Sequence, residues 1–351
     1  VSQAFARQGF TVCCNDIAVW SEVFATAYLL SKRPRSHYTS LIAHLNSVPP
    51  ADGWFTEFYG GDANGGCSVQ QDGLKKPWQK HNTKKVDGIR QEIESLSLTK
   101  DEKAVALTSL ILAMDRVDST LGHFVSYLRD WAPRSYRELQ LSVPAIVATD
   151  ADHRVLRGEA LNVASTVEVD LAYFDPPYGS NNEKMPPSRV RYSSYYHVWT
   201  SVCLFDKPKL FGKARRREDS SDMVAPSVFE DYRKNPQGGF IAVDAIDRLL
   251  GATRARWIIL SYSSGGRATA RDLDDVIRRN GQLIEALEID YKRNVMASMK
   301  WTNKWLRDAE QPNREFLFLI ERSSARQTPA AASATTALAV NEQPRRADRT
   351  S

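Results

Sequence analysis

Apolar residues along this chain switch between a helical and a strand period, and the switch points divide it. Residues 2–7 read as the tail of a helix with Gly9 as its C-cap, and residues 10–14 as an apolar strand stopping at Asn15-Asp16-Ile17. The helical period returns over 18–30. Residues 34–85 are polar and predict loop, although Trp54, Phe55, Phe58 and Tyr59 form an aromatic patch within them. Over 86–96 the apolar positions Ile89, Ile93 and Leu96 share one helix face. Thr99 with Glu102 then makes a capping box, which opens a long helical stretch from 101 towards Trp131, broken near Gly122. Its apolar positions are too broad for a coiled-coil seam, so the stretch reads as a helical insertion with Met114 and Phe124 in its core.

Past residue 150 the rhythm is α/β. A strand over 155–157 turns into a short helix at Gly158-Glu159-Ala160-Leu161, and a β-branched and aromatic run over 169–174 predicts a buried strand. A helix over 243–250, a strand over 257–262, a helix over 271–279 and strands over 283–291 and 314–321 follow, with 294–311 between the last two. Residues 323–351 are rich in Ala, Thr, Pro and Arg without periodicity and predict a disordered tail.

The strand over 169–174 ends at Asp175-Pro176-Pro177-Tyr178. Two prolines cannot donate ladder hydrogen bonds, so the strand must stop and the loop is stiff. A carboxylate, rigid backbone carbonyls and an aromatic ring are thereby grouped at a strand's carboxyl end, where open α/β sheets bind ligands. The arrangement suits an amino group on an aromatic base. Asp175 and the Pro176 carbonyl can accept its two N–H groups, and Tyr178 can stack on the ring. A surface turn that happens to contain two prolines is the plainer reading.

Two basic stretches suit phosphate contacts. Lys75, Lys76, Lys80, His81, Lys84 and Lys85 surround Trp78; Lys207, Lys209, Lys213, Arg215, Arg216 and Arg217 follow the aromatic cluster Tyr192, Tyr195, Tyr196, His197 and Trp199. A solvated face with one buried Trp is the plainer reading of the first stretch, and a charged exposed linker of the second. His197 reads as a packed residue before it reads as a base. Asp16 stands where a nucleotide-binding unit places an acid for ribose hydroxyls, and Glu159 ends the strand before the Pro-Pro loop; each also reads as a helix cap. With 351 residues, 42% hydrophobic and 25% charged, composition is ordinary globular, and a net charge of +5 permits a polyanionic partner without demanding one. The 4 cysteines show no CxxC pair, so neither a metal site nor a disulfide framework is indicated. No membrane-length apolar run or signal peptide is visible, and a cytoplasmic location is expected.

In order, Asn15-Asp16-Ile17, the helical insertion, Gly158-Glu159, Asp175-Pro176-Pro177-Tyr178, Ser261-Tyr262-Ser263 and a terminal strand over 316–320 resemble the D12-class adenine-specific DNA methyltransferases. The resemblance implies an α/β fold: a seven-stranded Rossmann-like S-adenosylmethionine-dependent methyltransferase sheet with a helical insertion. S-adenosyl-L-methionine is then the methyl donor and adenine N6 of double-stranded DNA the acceptor. The cofactor-binding positions fall on Asp16, Ile17 and Glu159, and the catalytic ones on Asp175, Pro176, Pro177 and Tyr178. Lys80, Lys84, Lys85, Tyr195, Lys213, Arg215 and Arg216 are the expected DNA contacts. The expected organisation is a core segment over 1–45, an insertion for target recognition over 46–148, the second core segment over 149–322 and the tail. The family's glycine-containing cofactor loop belongs just upstream of Ser2, so the chain reads as part of a longer frame, expected to bind cofactor weakly as it stands. A monomer working beside a cognate restriction endonuclease is expected. The same loop also serves cytosine N4, RNA adenine and protein glutamine; a nucleotide-dependent oxidoreductase and a non-catalytic DNA-binding remnant are the other readings.

Overall fold

The computed structural model describes residues 1–179, 191–221, 227–289 and 314–322, so the polar loop after Gly179, the interval 294–311 and the tail from 323 lie outside the described residues. The chain enters through α1 (Ser2–Arg7), turns at Gly9 (φ +88°) and reaches β1 (Cys13–Asp16). β1 begins later than hydrophobicity predicts. Phe10 leaves the strand and packs edge-on against Phe5, ring centroids 5.7 Å apart. α2 (Val19–Leu29) follows as expected.

Residues 34–85 overturn the expectation of loop. They form α3 (Arg35–Ser47), α4 (Trp54–Tyr59), the short parallel strands β2 (Gly60–Gly61) and β3 (Trp78–Gln79), and the first turns of α5 (Lys80–Ser95). α3 buries Tyr38, Ile42 and Leu45, a helical stripe that the intervening polar residues masked. α4 is capped from a distance. Gly53 has no side chain to offer, and the Asp87 carboxylate of α5 instead accepts from the Phe55 amide (3.0 Å), the Thr56 amide (2.8 Å) and the Thr56 hydroxyl (2.7 Å). Asp87→Ala would leave these donors unsatisfied in a site where Asp87 is 1% exposed. The expected cost is about 3 kcal/mol or more, read as a lower urea midpoint. A loss well under about 1 kcal/mol would mean that α4 does not depend on this cap.

α6 (Lys100–Asp115) opens with the expected Thr99–Glu102 capping box and is buried on nearly every side, as a helix apolar all round must be. It stops at Asp115, not near Trp131. Asp118, Ser119 and Thr120 trade helix for local bonds: Thr120 donates to Asp118, Ser119 N to Pro77 O at 2.7 Å, and Arg134 pairs with Asp118. Val117, Phe124, Tyr127 and Trp131 are still buried, but from irregular backbone.

The α/β part supplies β4 (Arg154–Arg157), α7 (Ala160–Ala164), β5 (Glu168–Phe174), α8 (Tyr192–Tyr195), α9 (His197–Leu204) and the hairpin β6 (Leu210–Phe211) with β7 (Arg216–Arg217). It closes with α10 (Ile241–Ala252), β8 (Arg254–Ser263), α11 (Ala270–Asn280), β9 (Gly281–Ile289) and β10 (Glu315–Arg322). β1 and β4 pair in parallel, with Asp16 opposite Arg157. A four-stranded sheet runs β5-β8-β10-β9; β5 is parallel to β8, and β10 is antiparallel to both of its neighbours. The resemblance implied one continuous sheet. The described strands make these two, besides the short pairs β2–β3 and β6–β7, because none of them pairs with the other edge of β1 or of β5.

Two main cores result. Ile258, Leu260 and Tyr262 of β8 and Ile320 of β10 point to one face, where Ile246, Leu249 and Leu250 of α10 and Val276 and Ile277 of α11 cover them. The larger, helical core gathers Leu45, Tyr59, Trp78, Ile89, Leu110 and Met114, joined by Val198, Trp199 and Val202 of α9 and flanked by Trp20 and Phe24 of α2.

Candidate active site

The Pro-Pro loop leaves the sheet at the carboxyl end of β5, one residue after Phe174 pairs with Leu260. Asp175 is exposed there, while Pro176 beside it is buried. The Tyr178 hydroxyl donates to Asp175 Oδ1 at 2.5 Å and lies 2.9 Å from Ser261 Oγ and 3.4 Å from Glu315 Oε2. Burial, and then the Asp175 carboxylate it donates to, push the Tyr178 phenol far above its ordinary range, so it remains a donor. Its ring packs at a tilt on Tyr262, centroids 4.9 Å apart.

Tyr178 and Gly179 are clamped from the turn between β8 and α11. Arg267 N donates to the Tyr178 carbonyl at 2.8 Å, and the Tyr262 hydroxyl reaches the same oxygen at 3.2 Å. Gly179 takes φ +66°, a region that favours glycine, and a Cβ there would stand 2.5 Å from the Arg267 guanidinium carbon, so a side chain would have to push Arg267 aside. Ser261, Arg267, Gly179 and Glu315 were not singled out by sequence reasoning as site residues. Ser261 and Glu315 reach the loop through strand register, which a local motif does not carry. Tyr192 of α8 faces the same site. Burial first and the Asp175 charge second push its phenol up to about 12, and its backbone N–H is held by Glu230 Oε1 at 2.7 Å.

At the other sheet, Asp16 and Glu159 come to neighbouring strand ends. Gly158 N donates to Asp16 O at 3.1 Å and Asn15 Nδ2 to Gly158 O at 3.2 Å, which ties the end of β1 to the turn carrying Glu159. Glu159 does what the capping alternative predicts, as the N-cap of α7, whereas Asp16 does not: α2 begins from Ala18 with no side-chain cap, and Asp16 closes a turn ahead of it. Asp16 Oδ1 accepts from Ala18 N at 2.8 Å; Glu159 accepts from Ala160 N at 3.0 Å, with Ser227 Oγ and Val228 N each at 3.3 Å. Asp16 remains exposed, with Ile17 37% exposed next to it. A groove of about 510 Å³ runs along β1, lined by Cys14, Asn15, Asp16, Phe24 and Tyr28. An exposed acceptor, the buried Asn15 Oδ1 without a hydrogen-bond partner among the described residues, and two aromatic rings suit a nucleoside with free hydroxyls. A larger groove of about 860 Å³, lined by Asp52, Trp54, Glu57, Asp62 and Asp72, lies in the helical insertion and contains no residue of the Pro-Pro loop.

The basic candidates separate by their partners. Lys80 and Lys84 pair with Asp62 (3.3 Å) and Asp52 (3.0 Å), and Lys85 donates to the carbonyls of Asn46 and Val48 at the end of α3. Lys213 is exposed on the β6–β7 hairpin, Arg215 lies over Phe58 and Arg216 over Phe211. Tyr195 stacks on His123, centroids 5.0 Å apart. His197 is fully buried, its Nε2 3.0 Å from Phe124 O; burial lowers its pKa to about 3, so it packs neutral in the helical core. Among the described residues no helix is long and apolar enough to cross a membrane, and no His, Cys, Asp or Glu cluster is placed to hold a metal ion.

Comparison with known proteins agrees on one family. The chain is 25% identical to the modification methylase LlaI of Lactococcus lactis subsp. lactis, covering 77% of this chain and 41% of that protein. It is 25% identical to the modification methylase StsI of Streptococcus sanguinis (82% and 42%), and 25% identical to the type II methyltransferase M.FokI of Planomicrobium okeanokoites (70% and 34%). It thus spans less than half the length of these relatives. No solved structure matches it. The family model for D12 class N6 adenine-specific DNA methyltransferases matches residues 1–227, from α1 through the Pro-Pro loop and the basic hairpin, and the chain belongs to that family.

Proposed function

We propose that this chain is a site-specific DNA methyltransferase acting on adenine N6, built on a Rossmann-like S-adenosylmethionine-binding fold. The observation that carries the reading is the exposed Asp175 carboxylate at the end of β5, beside two prolines and a Tyr178 ring fixed by Tyr262 and Arg267. An exocyclic amino group is a weak nucleophile because its lone pair is delocalised into the ring. Asp175 and the Pro176 carbonyl accept its two N–H groups and favour the tetrahedral, nucleophilic nitrogen; Tyr178 holds the flipped base by its face. S-adenosylmethionine, when bound, supplies the electrophilic methyl group. Asp16 would accept its ribose hydroxyls, with Ile17 and Glu159 beside the nucleoside. The β6–β7 hairpin, which carries the exposed Lys213 with Arg215 and Arg216, is the proposed phosphate-facing surface, together with Lys80, Lys84 and Lys85 of α5. A place in a restriction–modification system is part of the proposal, because the relatives are modification methylases.

Calorimetry with S-adenosylmethionine tests the cofactor assignment. Asp16→Ala is expected to weaken binding by about 1–3 kcal/mol, the scale of a lost charged acceptor. Unchanged affinity would leave Asp16 with only its turn bond to Ala18, and heat released with a nicotinamide nucleotide instead would favour the oxidoreductase reading.

A further inference from the structure

We propose that Glu315 is a positioning residue for the Pro-Pro loop: it takes the Tyr178 hydroxyl when the target amino group claims Asp175. This rests on the amino-group reading above and deepens it. The Tyr178 hydroxyl has one proton and three oxygens within reach, Asp175 Oδ1 at 2.5 Å, Ser261 Oγ at 2.9 Å and Glu315 Oε2 at 3.4 Å. The shortest of the three contacts, to Asp175, is the one that takes the proton. An amino N–H arriving at Asp175 competes with the phenol for the same carboxylate. The phenol can yield without moving its ring, by rotating its O–H bond.

Where it turns is decided by its other two neighbours. Ser261 offers a neutral hydroxyl oxygen. Glu315 offers a carboxylate, the stronger acceptor for an O–H donor. Glu315 is the first residue of β10, opposite Ser263 on β8 and Ile289 on β9, and it reaches the loop from across the sheet. Among the described residues the Tyr178 hydroxyl is its only side-chain hydrogen-bond partner. Burial and the nearby Asp175 charge both disfavour the Glu315 carboxylate, while donation from Tyr178 favours it. Each carboxylate thus gains from the hydroxyl, and the hydroxyl serves one of them at a time. Turned to Asp175 it occupies Oδ1 and draws charge from the carboxylate, leaving Oδ2 the weaker acceptor; turned to Glu315 it restores both oxygens to the amino group and keeps the ring in place for stacking.

A double-mutant cycle read on base discrimination tests this in the full chain. The probes are two oligonucleotide duplexes that differ in one unpaired base facing an abasic site, adenine or purine without the 6-amino group. The ratio of their dissociation constants reports how well Asp175 engages the amino group. The unsubstituted chain is expected to prefer adenine by about tenfold, one charge-assisted hydrogen bond's worth. Glu315→Ala should reduce the preference to about twofold or less, and Glu315→Gln, whose amide oxygen can still accept, should restore part of it. In a Tyr178→Phe background, which keeps the ring and removes the hydroxyl, Glu315→Ala should change nothing. A Glu315→Ala effect of equal size in both backgrounds, or none in the unsubstituted one, would overturn the positioning role and leave the amino-group reading intact. A ratio of one in the unsubstituted chain would remove the amino-group reading itself, and this inference with it.

Discussion

Replacing Asp175 with alanine is expected to lower the rate of methyl transfer by about 10²–10³-fold, the scale of removing one preorganised group aimed at the charge that develops in the transition state. The reason is differential binding. The carboxylate gains most from the amino group as positive charge builds on the nitrogen, and little from the neutral base before reaction. Turnover should therefore fall while cofactor affinity stays nearly constant, since Asp175 follows the end of β5 and the nucleoside groove runs along β1. Single-turnover transfer of a labelled methyl group, with calorimetry alongside, separates the two quantities. A parallel loss of cofactor affinity would place Asp175 in the donor's site instead.

Tyr178→Ala should act on an earlier step. Its ring is fixed against Tyr262 and its carbonyl is held by Arg267, so removing the ring deletes a preorganised stacking surface without dismantling the clamp. The expected loss is about 1–3 kcal/mol in capture of the flipped base, if stacking here resembles stacking on single strands. 2-Aminopurine at the target position reads this directly, because its fluorescence rises on leaving the stack. Asp175→Ala should keep the fluorescent, extrahelical population, and Tyr178→Ala should diminish it. The reverse pattern would exchange the roles of the two residues.

How much was legible in the sequence varies with how local each signal is. The Pro-Pro loop and its strand, the Thr99–Glu102 capping box and the β8–α11–β9 succession are written in neighbouring residues, and the structure has them. α3 was missed because Tyr38, Ile42 and Leu45 make a stripe too sparse to stand out among Ser, His, Thr and Asn. α6 was read too long because Val117, Phe124 and Tyr127 continue the hydrophobicity after the backbone has left the helix for bonds around Asp118. At the site, Asp175 and Tyr178 announced themselves. Their partners did not: Ser261 and Glu315 meet Tyr178 only through the pairing of β5 with β8 and of β8 with β10. Arg267 meets Gly179 only because the turn after β8 folds back over the loop. Long-range register of this kind leaves no mark within a window of ten residues.

The central claim is that this loop presents adenine N6 for methylation. Mass spectrometry of nucleosides, from duplex DNA incubated with the protein and labelled S-adenosylmethionine, decides it. Label is expected in N6-methyladenine, at one short sequence, and should be lost in Asp175→Ala. Label in N4-methylcytosine, or undiminished N6-methyladenine in the Asp175→Ala variant, would contradict it.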